Sequence, residues 1–227
     1  MIQIKNLSRI VAADFGLKQI HFSLPAESIL TLVGSSGSGK STLLRCLAGL
    51  EKYNVDFEEK PTGIGFVFQS SNLFSHLTLE QNIKLALFKV QNKEKVEAEK
   101  ICSEVLDHVK LSHRRSFYPH QLSGGQQQRG TIARALALKP KLLLYDEPTS
   151  ALDPELVDGL LDLMLDLKKN GITQIVATHE KDAIRKIGDY VGYMNHGELK
   201  LFDTLTNART KAKELSLEEQ KYLQLFL

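Results

Sequence analysis

Cysteine is scarce. The 227 residues hold two, Cys46 and Cys102, at no spacing that suits a metal ion. The pair reads as reduced thiols, as in an intracellular protein. Long apolar runs are missing as well. No stretch approaches the roughly 18 residues of a membrane span, so the chain itself is not expected to cross a bilayer, although it can rest against one through a partner. The opening, Met1-Ile2-Gln3-Ile4-Lys5, alternates and lacks the apolar segment of a secretory signal. Charge of one sign is missing too. Lys and Arg total 29 against 27 Asp and Glu, a net charge of +2, too small to argue for nucleic acid as the main partner. No internal repeat or low-complexity tract is visible. With 42% hydrophobic and 25% charged residues, the composition is that of a soluble globular chain, long enough for one domain with or without a subdomain.

The chain is organised around Gly34-Ser35-Ser36-Gly37-Ser38-Gly39-Lys40-Ser41, which fits the phosphate-binding pattern G-x-x-x-x-G-K-[ST]. A Gly/Ser-rich linker would lack the flanks found here. Ile29–Val33 reads as a buried strand before the loop, and Thr42 to Leu50 as a helix after it. Polyphosphate needs many donors at close range. Glycines let the backbone come close and adopt positive φ, and successive N–H groups at a helix N-terminus form an anion nest. Lys40 would reach the β and γ phosphates, and the Ser41 hydroxyl would sit on Mg²⁺. The phosphate site therefore comprises Gly34, Ser35, Ser36, Gly37, Ser38, Gly39, Lys40, Ser41 and Thr42.

Further along, Ile2–Lys5 and His21–Leu24 read as strands. Glu51 to Thr62 reads as a loop or short edge hairpin. Residues 63–69 form a central strand ending in Gln69. Two helices follow, from Thr78 to about Val90 and from Lys93 to Val109, the second with Val96, Ile101, Val105 and Val109 as candidate inward positions. Ser123 caps a helix over about 124–138, which Lys139-Pro140 stops. Lys141–Asp146 is a strand. Asp153-Pro154 opens a helix carrying Leu156, Leu160, Leu163 and Leu167. A strand over 172–178, a short helix over 181–187 and a hairpin turning at His196-Gly197 come next. Ser216-Leu217-Glu218-Glu219 has the form of a capping box and starts a terminal helix. The alternation implies an α/β fold with a mostly parallel sheet and helices on both faces.

Two further stretches carry chemistry. Leu142-Leu143-Leu144-Tyr145-Asp146-Glu147 places adjacent carboxylates at the C-terminal end of an apolar strand, where open parallel sheets bind ligands. Asp146 can hold Mg²⁺, directly or through water. Glu147 can polarise an attacking water as general base. Leu122-Ser123-Gly124-Gly125-Gln126-Gln127-Gln128-Arg129 is a capped helix start with two glycines exposing N–H groups, a second anion-binding terminus. One site already has its cradle, so a second implies a composite site.

These motifs identify the chain as resembling the ATP-binding-cassette (ABC) ATPases, whose signature is Leu-Ser-Gly-Gly-Gln. The resemblance spans nearly the whole chain. It implies a P-loop NTPase core (1–71 and 122–205) with a small antiparallel β-subdomain, an inserted helical subdomain (72–121) and a helical tail (206–227). By resemblance, Gln69 is the glutamine that couples the metal site, with Ser41 and Asp146, to the transporter. Asp153, in Ser150-Ala151-Leu152-Asp153, belongs to the loop that crosses the dimer interface. His179 is the switch histidine at the γ-phosphate. Two cassettes would close head to tail, with Ser123, Gly124, Gly125 and Gln126 of one facing the P-loop of the other across ATP and Mg²⁺. Phe68-Gln69-Ser70-Ser71-Asn72-Leu73-Phe74 and Tyr118-Pro119-His120-Gln121 look like the importers of polar amino acids. That branch implies integral permease subunits, an extracytoplasmic solute-binding protein and a place at the cytoplasmic face of the membrane. Lipoprotein export and a non-transport ABC ATPase are the alternatives; the single compact cassette counts against repair and translation members. A cassette that binds without turnover is a further alternative, against which intact Gln69, Asp146, Glu147 and His179 argue.

Three departures from the family stand out. Its adenine-stacking aromatic falls near Val11, with Phe15 the nearest ring, which implies weaker ATP binding or relaxed base choice, since base stacking contributes roughly 1–3 kcal/mol in nucleotide systems. The segment from Ser41 to Phe68 is short, so the β-subdomain is expected to be trimmed, with Tyr53 to Lys60 as its remainder. Gly130 replaces an apolar residue and is expected to loosen the signature helix, at about 0.5–1 kcal/mol.

Overall fold

The computed structural model describes residues 1–12, 15–51, 54–57 and 63–226. Two sheets form. Strands β1 (Ile2–Ala12), β2 (Phe15–Leu24) and β4 (Asn54–Phe57) make a three-stranded antiparallel sheet in the order β2-β1-β4. The central sheet has six strands: β3 (Ile29–Val33), β5 (Ile64–Val67), β6 (Leu142–Asp146), β7 (Thr173–Ala177), β8 (Tyr190–Asn195) and β9 (Glu198–Thr204), in the order β5-β6-β7-β3-β8-β9. All its pairs are parallel except β8 with β9. The fold class is therefore α/β with a mostly parallel sheet. The remainder of the small sheet expected at Tyr53–Lys60 consists of β4, Asn54–Phe57; its flanks lie outside the described residues.

Alternate residues of the buried strands feed two cores, as the pleat requires. Ile29, Leu143, Tyr145 and Val176 face one side, where they pack with residues of α2 (Leu79–Val90), α3 (Lys95–His108), α4 (Gly124–Leu136), α5 (Pro154–Lys169) and α6 (Lys181–Ile187). Leu30, Leu32, Leu142, Leu144 and Ile175 face the other, against α1 (Lys40–Leu47) and the antiparallel sheet. One face is thus covered by helices and the other by a single helix plus a sheet. A third cluster joins Val33, Ile184, Val191 and Tyr193 to the tail helices α7 (Leu205–Lys211) and α8 (Leu217–Gln224) through Ala208, Leu223 and Phe226.

Local signals account for most boundaries. Thr78 and Ser123 each close a capping box with the glutamine three residues on. His196 and Gly197 both take positive φ, 46° and 78°, as a tight hairpin turn demands. Four expectations need correction. Helix α1 starts at Lys40 rather than Thr42 and stops at Leu47, because left-handed Gly39 (φ 106°) begins it and Gly49 (φ 72°) turns the chain away. Val96 is 84% exposed; the buried face of α3 is Ala98, Ile101, Cys102 and Leu106, and Val96 lies two residues out of that phase. Leu156, 37% exposed, sits at the open first turn of α5 while Leu160, Leu163 and Leu167 are buried. Gly130 does not loosen α4. A β-carbon there would stand 2.7 Å from Leu79 Cδ1 and 3.4 Å from Leu73 Cδ1, so the glycine lets α2 and α4 pack closely.

Candidate functional site

The site lies along the carboxyl ends of β3, β6 and β7. Register brings them level: Asp146 pairs with Ala177, and Ala177 with Leu32. The residues that follow each strand, Gly34, Glu147 and Thr178-His179, therefore emerge side by side. The turns are pinned by Glu147 N donating to Ala177 O (2.9 Å) and Thr178 N to Leu32 O (3.1 Å).

The P-loop is braced by the β8–β9 hairpin. Gly197 N donates to Ser38 O (3.0 Å), and Lys18 N donates to Gly197 O (2.8 Å). A β-carbon on Gly197 would collide with the Gly16 carbonyl, and one on Gly34 with the Met194 carbonyl. At Gly37, φ is 77° and nothing stands within 4 Å of an added β-carbon, so that side of the loop is open. Lys40 is only 7% exposed. Its Nζ donates to the carbonyls of Gly34 (2.7 Å) and Ser35 (3.1 Å), folding across the loop. Burial lowers the Lys40 pKa, and Glu147 and Asp146 oppose that shift.

Ser41 Oγ donates to Asp146 Oδ1 at 2.6 Å, which joins the loop to β6. His179 Nδ1 lies 3.6 Å from Glu147 Oε1. Glu147 takes the left-handed conformation, φ 49°, a departure that a non-glycine residue adopts at some cost. Its backbone is held at both ends, since Ser150 Oγ donates to Glu147 O (3.0 Å). Gln69 Nε2 donates to Ser150 Oγ (3.1 Å), so a chain of bonds runs from the end of β5 to Glu147. Sequence reasoning missed Ser150 as this link. It also missed Arg45, whose Nη2 is 3.9 Å from Asp146 Oδ2; its place one helical turn after Ser41 was the available signal.

The structure brings together Gly34–Thr42, Asp146, Glu147, His179 and Gln69. It keeps Ser123–Gln126 apart: among the described residues, no hydrogen bond or ion pair joins them to the P-loop. Ser123 and Gly124 are exposed. Ser123 Oγ accepts from Gln126 N (3.3 Å), while Gln126 Oε1 accepts from Ser123 N (3.1 Å), so Gln126 is committed to the cap. Gly124 and Gly125 rest on the segment after Glu147; a β-carbon on Gly125 would stand 3.1 Å from Leu156 Cδ1, and one on Gly124 3.6 Å from Leu152 Cδ2. Asp153 occupies the N-cap of α5 without a side-chain capping bond, and it is exposed. Ser123, Gly124 and Asp153 are thus presented to the surface. The side chains of Val11 and Phe15, which bear on adenine stacking, lie outside the described residues.

Known proteins resemble this chain in sequence and fold. A family model described as ABC transporter matches residues 17–150. The glutamate transport ATP-binding protein of Corynebacterium glutamicum is 42% identical over 212 residues, covering 87% of this chain and 88% of its own length. The glutamine transport ATP-binding protein of Bacillus subtilis is 39% identical over 214 residues, covering 88% of each. A dimeric ATP-binding cassette, solved in a post-hydrolysis state bound to ADP and Pi, superposes with a TM-score of 0.77 at 31% identity, over 90% of this chain and 99% of its own. A nucleotide-free cassette from an ABC transporter gives a TM-score of 0.81 at 25% identity, over 100% of this chain and 98% of its own. With a phosphate-binding loop, two strand-end carboxylates and an outward-facing signature on one α/β frame, the chain belongs to the ABC transporter family as an ATP-binding cassette.

Proposed function

We propose that this chain is the ATP-hydrolysing subunit of an importer for a polar amino acid, working as a head-to-tail homodimer at the cytoplasmic face of a membrane. The observation that carries the hydrolytic reading is the strand-end array: Ser41 on Asp146 at 2.6 Å, with His179 beside Glu147 at 3.6 Å. The amino-acid class rests on the relatives, which are named for glutamate, glutamine and arginine transport. On this reading the core is 1–71 and 122–205, the helical subdomain 72–121 and the tail 206–227.

The residues have distinct tasks. Backbone N–H groups from Gly34 to Thr42, at the start of α1, bind phosphate oxygens. Lys40 exchanges its two carbonyl partners for the β and γ phosphates. The hydroxyl of Ser41, the carboxylate of Asp146 and the amide oxygen of Gln69 are hard oxygen donors that fit Mg²⁺; the ion, when bound, would neutralise phosphate charge. Glu147 takes the proton of the attacking water, and His179 holds that carboxylate and the γ-phosphate in line. Ser123, Gly124 and Gly125 of a second copy complete the site, and their own chain leaves Ser123 and Gly124 exposed to meet it. Asp153 borders the same interface. Permease subunits meet the loop from Asn72 to Leu77, and a solute-binding protein delivers the amino acid outside.

The test is co-purification of a tagged chain from membranes, with mass spectrometry of what accompanies it. A multi-span partner with an amino-acid-binding protein is expected. A multi-span partner with a large extracytoplasmic domain would move the reading to lipoprotein export. Ribosomes or DNA in place of a membrane partner would overturn transport.

A further inference from the structure

Helix α4 holds the chain that leaves Gln69. Gln128, 3% exposed, donates Nε2 to Phe68 O (3.3 Å). Gln127 Oε1 accepts from Ser71 Oγ (2.9 Å), and the Thr131 hydroxyl donates to Ser71 O. Arg134 Nη1 donates to Asn72 O (2.9 Å), and its guanidinium carbon lies 5.7 Å from the centre of the Phe74 ring. Positions 127 or 128, 131 and 134 share one face of a helix. One step of about a turn along α4 therefore matches one step along the loop, from the catalytic glutamine outward.

The outer end of the loop is held with unusual care. Asn72 is left-handed, φ 45°, and its carbonyl is the atom that Arg134 grips. From the opposite side Asn82, fully buried on α2, accepts from Phe74 N (2.8 Å) and donates Nδ2 to the carbonyls of Phe74, Leu77 and Thr78 at 3.0–3.2 Å. Between these two clamps the Phe74 ring stays 45% exposed. Backbone fixed from both sides under an exposed aromatic is a preorganised contact, and Arg134 touches both the backbone and the ring. Its planar fork can donate and stack at once, which a lysine ammonium cannot.

We propose that Arg134 is a positioning residue for coupling. It fixes Asn72 and Phe74 in the shape that the membrane partner engages, and so ties the helix that starts with the signature to that partner. This rests on the importer reading above. Arg134 touches none of the residues assigned to phosphate or to the attacking water.

The experiment compares wild type, Arg134→Gln and Arg134→Lys in two settings: the purified chain alone, and the complex extracted with its membrane subunits, reconstituted in phospholipid vesicles and supplied with its solute-binding protein. ATP hydrolysis is read in both, and uptake of labelled glutamate, glutamine and arginine in the second. Hydrolysis by the isolated chain is expected to stay within about twofold. Uptake per ATP is expected to fall about tenfold or more for Gln, with part of it kept by Lys, because the charge and stem remain. If the Gln variant does not fold, the Lys variant is read by the same ratio and is still expected to lose coupling. Uptake per ATP unchanged in the variant that folds, or hydrolysis falling in step with uptake, would overturn the proposal alone. Absence of solute-dependent hydrolysis in the wild-type complex would overturn the importer reading, and this proposal with it.

Discussion

Removing one oxygen from the centre of the sheet should make this protein more stable. Tyr145 precedes Asp146 on β6 and is fully buried, and its hydroxyl has no hydrogen-bond partner among the described residues. Burial pushes the phenol well above its ordinary pKa, so it stays neutral and unpaired throughout the working range. A buried polar group without a partner costs about 1–3 kcal/mol. Tyr145→Phe keeps the ring against Leu143, Val176 and the rest of that cluster and deletes only the orphan. Stability should rise by about 1–3 kcal/mol. For a chain of this size each kcal/mol moves Tm by roughly 2–4 °C, so Tm should rise by about 2–12 °C. Thermal and urea unfolding of the nucleotide-free protein measure this, with the urea m value unchanged. ATP hydrolysis should stay within about twofold, since the hydroxyl bonds neither Asp146 nor Glu147. A Tm that falls or does not move would mean that the hydroxyl is hydrogen-bonded after all, and the reasoning would fail.

Three other outcomes follow from the same geometry. Glu147→Gln should bind ATP and accumulate a stable dimer by size exclusion, with turnover lower by about 10²–10⁴; near-normal hydrolysis would remove Glu147 from the mechanism. Gly197→Ala forces a β-carbon into the Gly16 carbonyl at φ 78°, so at least about 1–2 kcal/mol of stability should be lost, with weaker ATP binding because the hairpin braces Ser38; calorimetry that shows neither change would refute the brace. Cys102 is fully buried, and burial pushes its thiol up to about 11 from an ordinary 9.0. A folded-state pKa raised in this way contributes stability that is complete below about pH 9 and lost as pH rises through about 11. Native protein at pH 8 should therefore resist iodoacetamide at Cys102 and react only when unfolded; rapid native labelling would contradict the burial.

Residues close in sequence were legible in the sequence. The P-loop, the caps at Thr78, Ser123 and Ser216, and the His196-Gly197 turn are determined by interactions spanning a few residues, whose chemistry is written in the order of the side chains. Strand β3, helix α6 and the start of α4 are read at their actual places for this reason. The helical tail expected over 206–227 includes α7, Leu205–Lys211, but its separate start is weakly marked because Thr204 is its main local signal, and it is held by burial of Ala208 against a distant cluster. Val96 is apolar yet exposed, because helical phase and not apolarity decides which face of α3 is buried.

Long-range pairing needed the fold. That Glu147 and His179 lie 3.6 Å apart follows from the register of β6 on β7. That Gln69 reaches Glu147 through Ser150, and that Gly130 is a packing device rather than a weakness, depend on elements tens of residues apart. By itself the sequence determined the motifs and the family they belong to, since the glycine-rich loop, the strand-end carboxylates and the signature are contiguous stretches. Only the tertiary structure decided which of them share one site and which face outward, because strand order and helix crossing arise from packing choices summed over the whole core, and no window of neighbouring residues contains that sum.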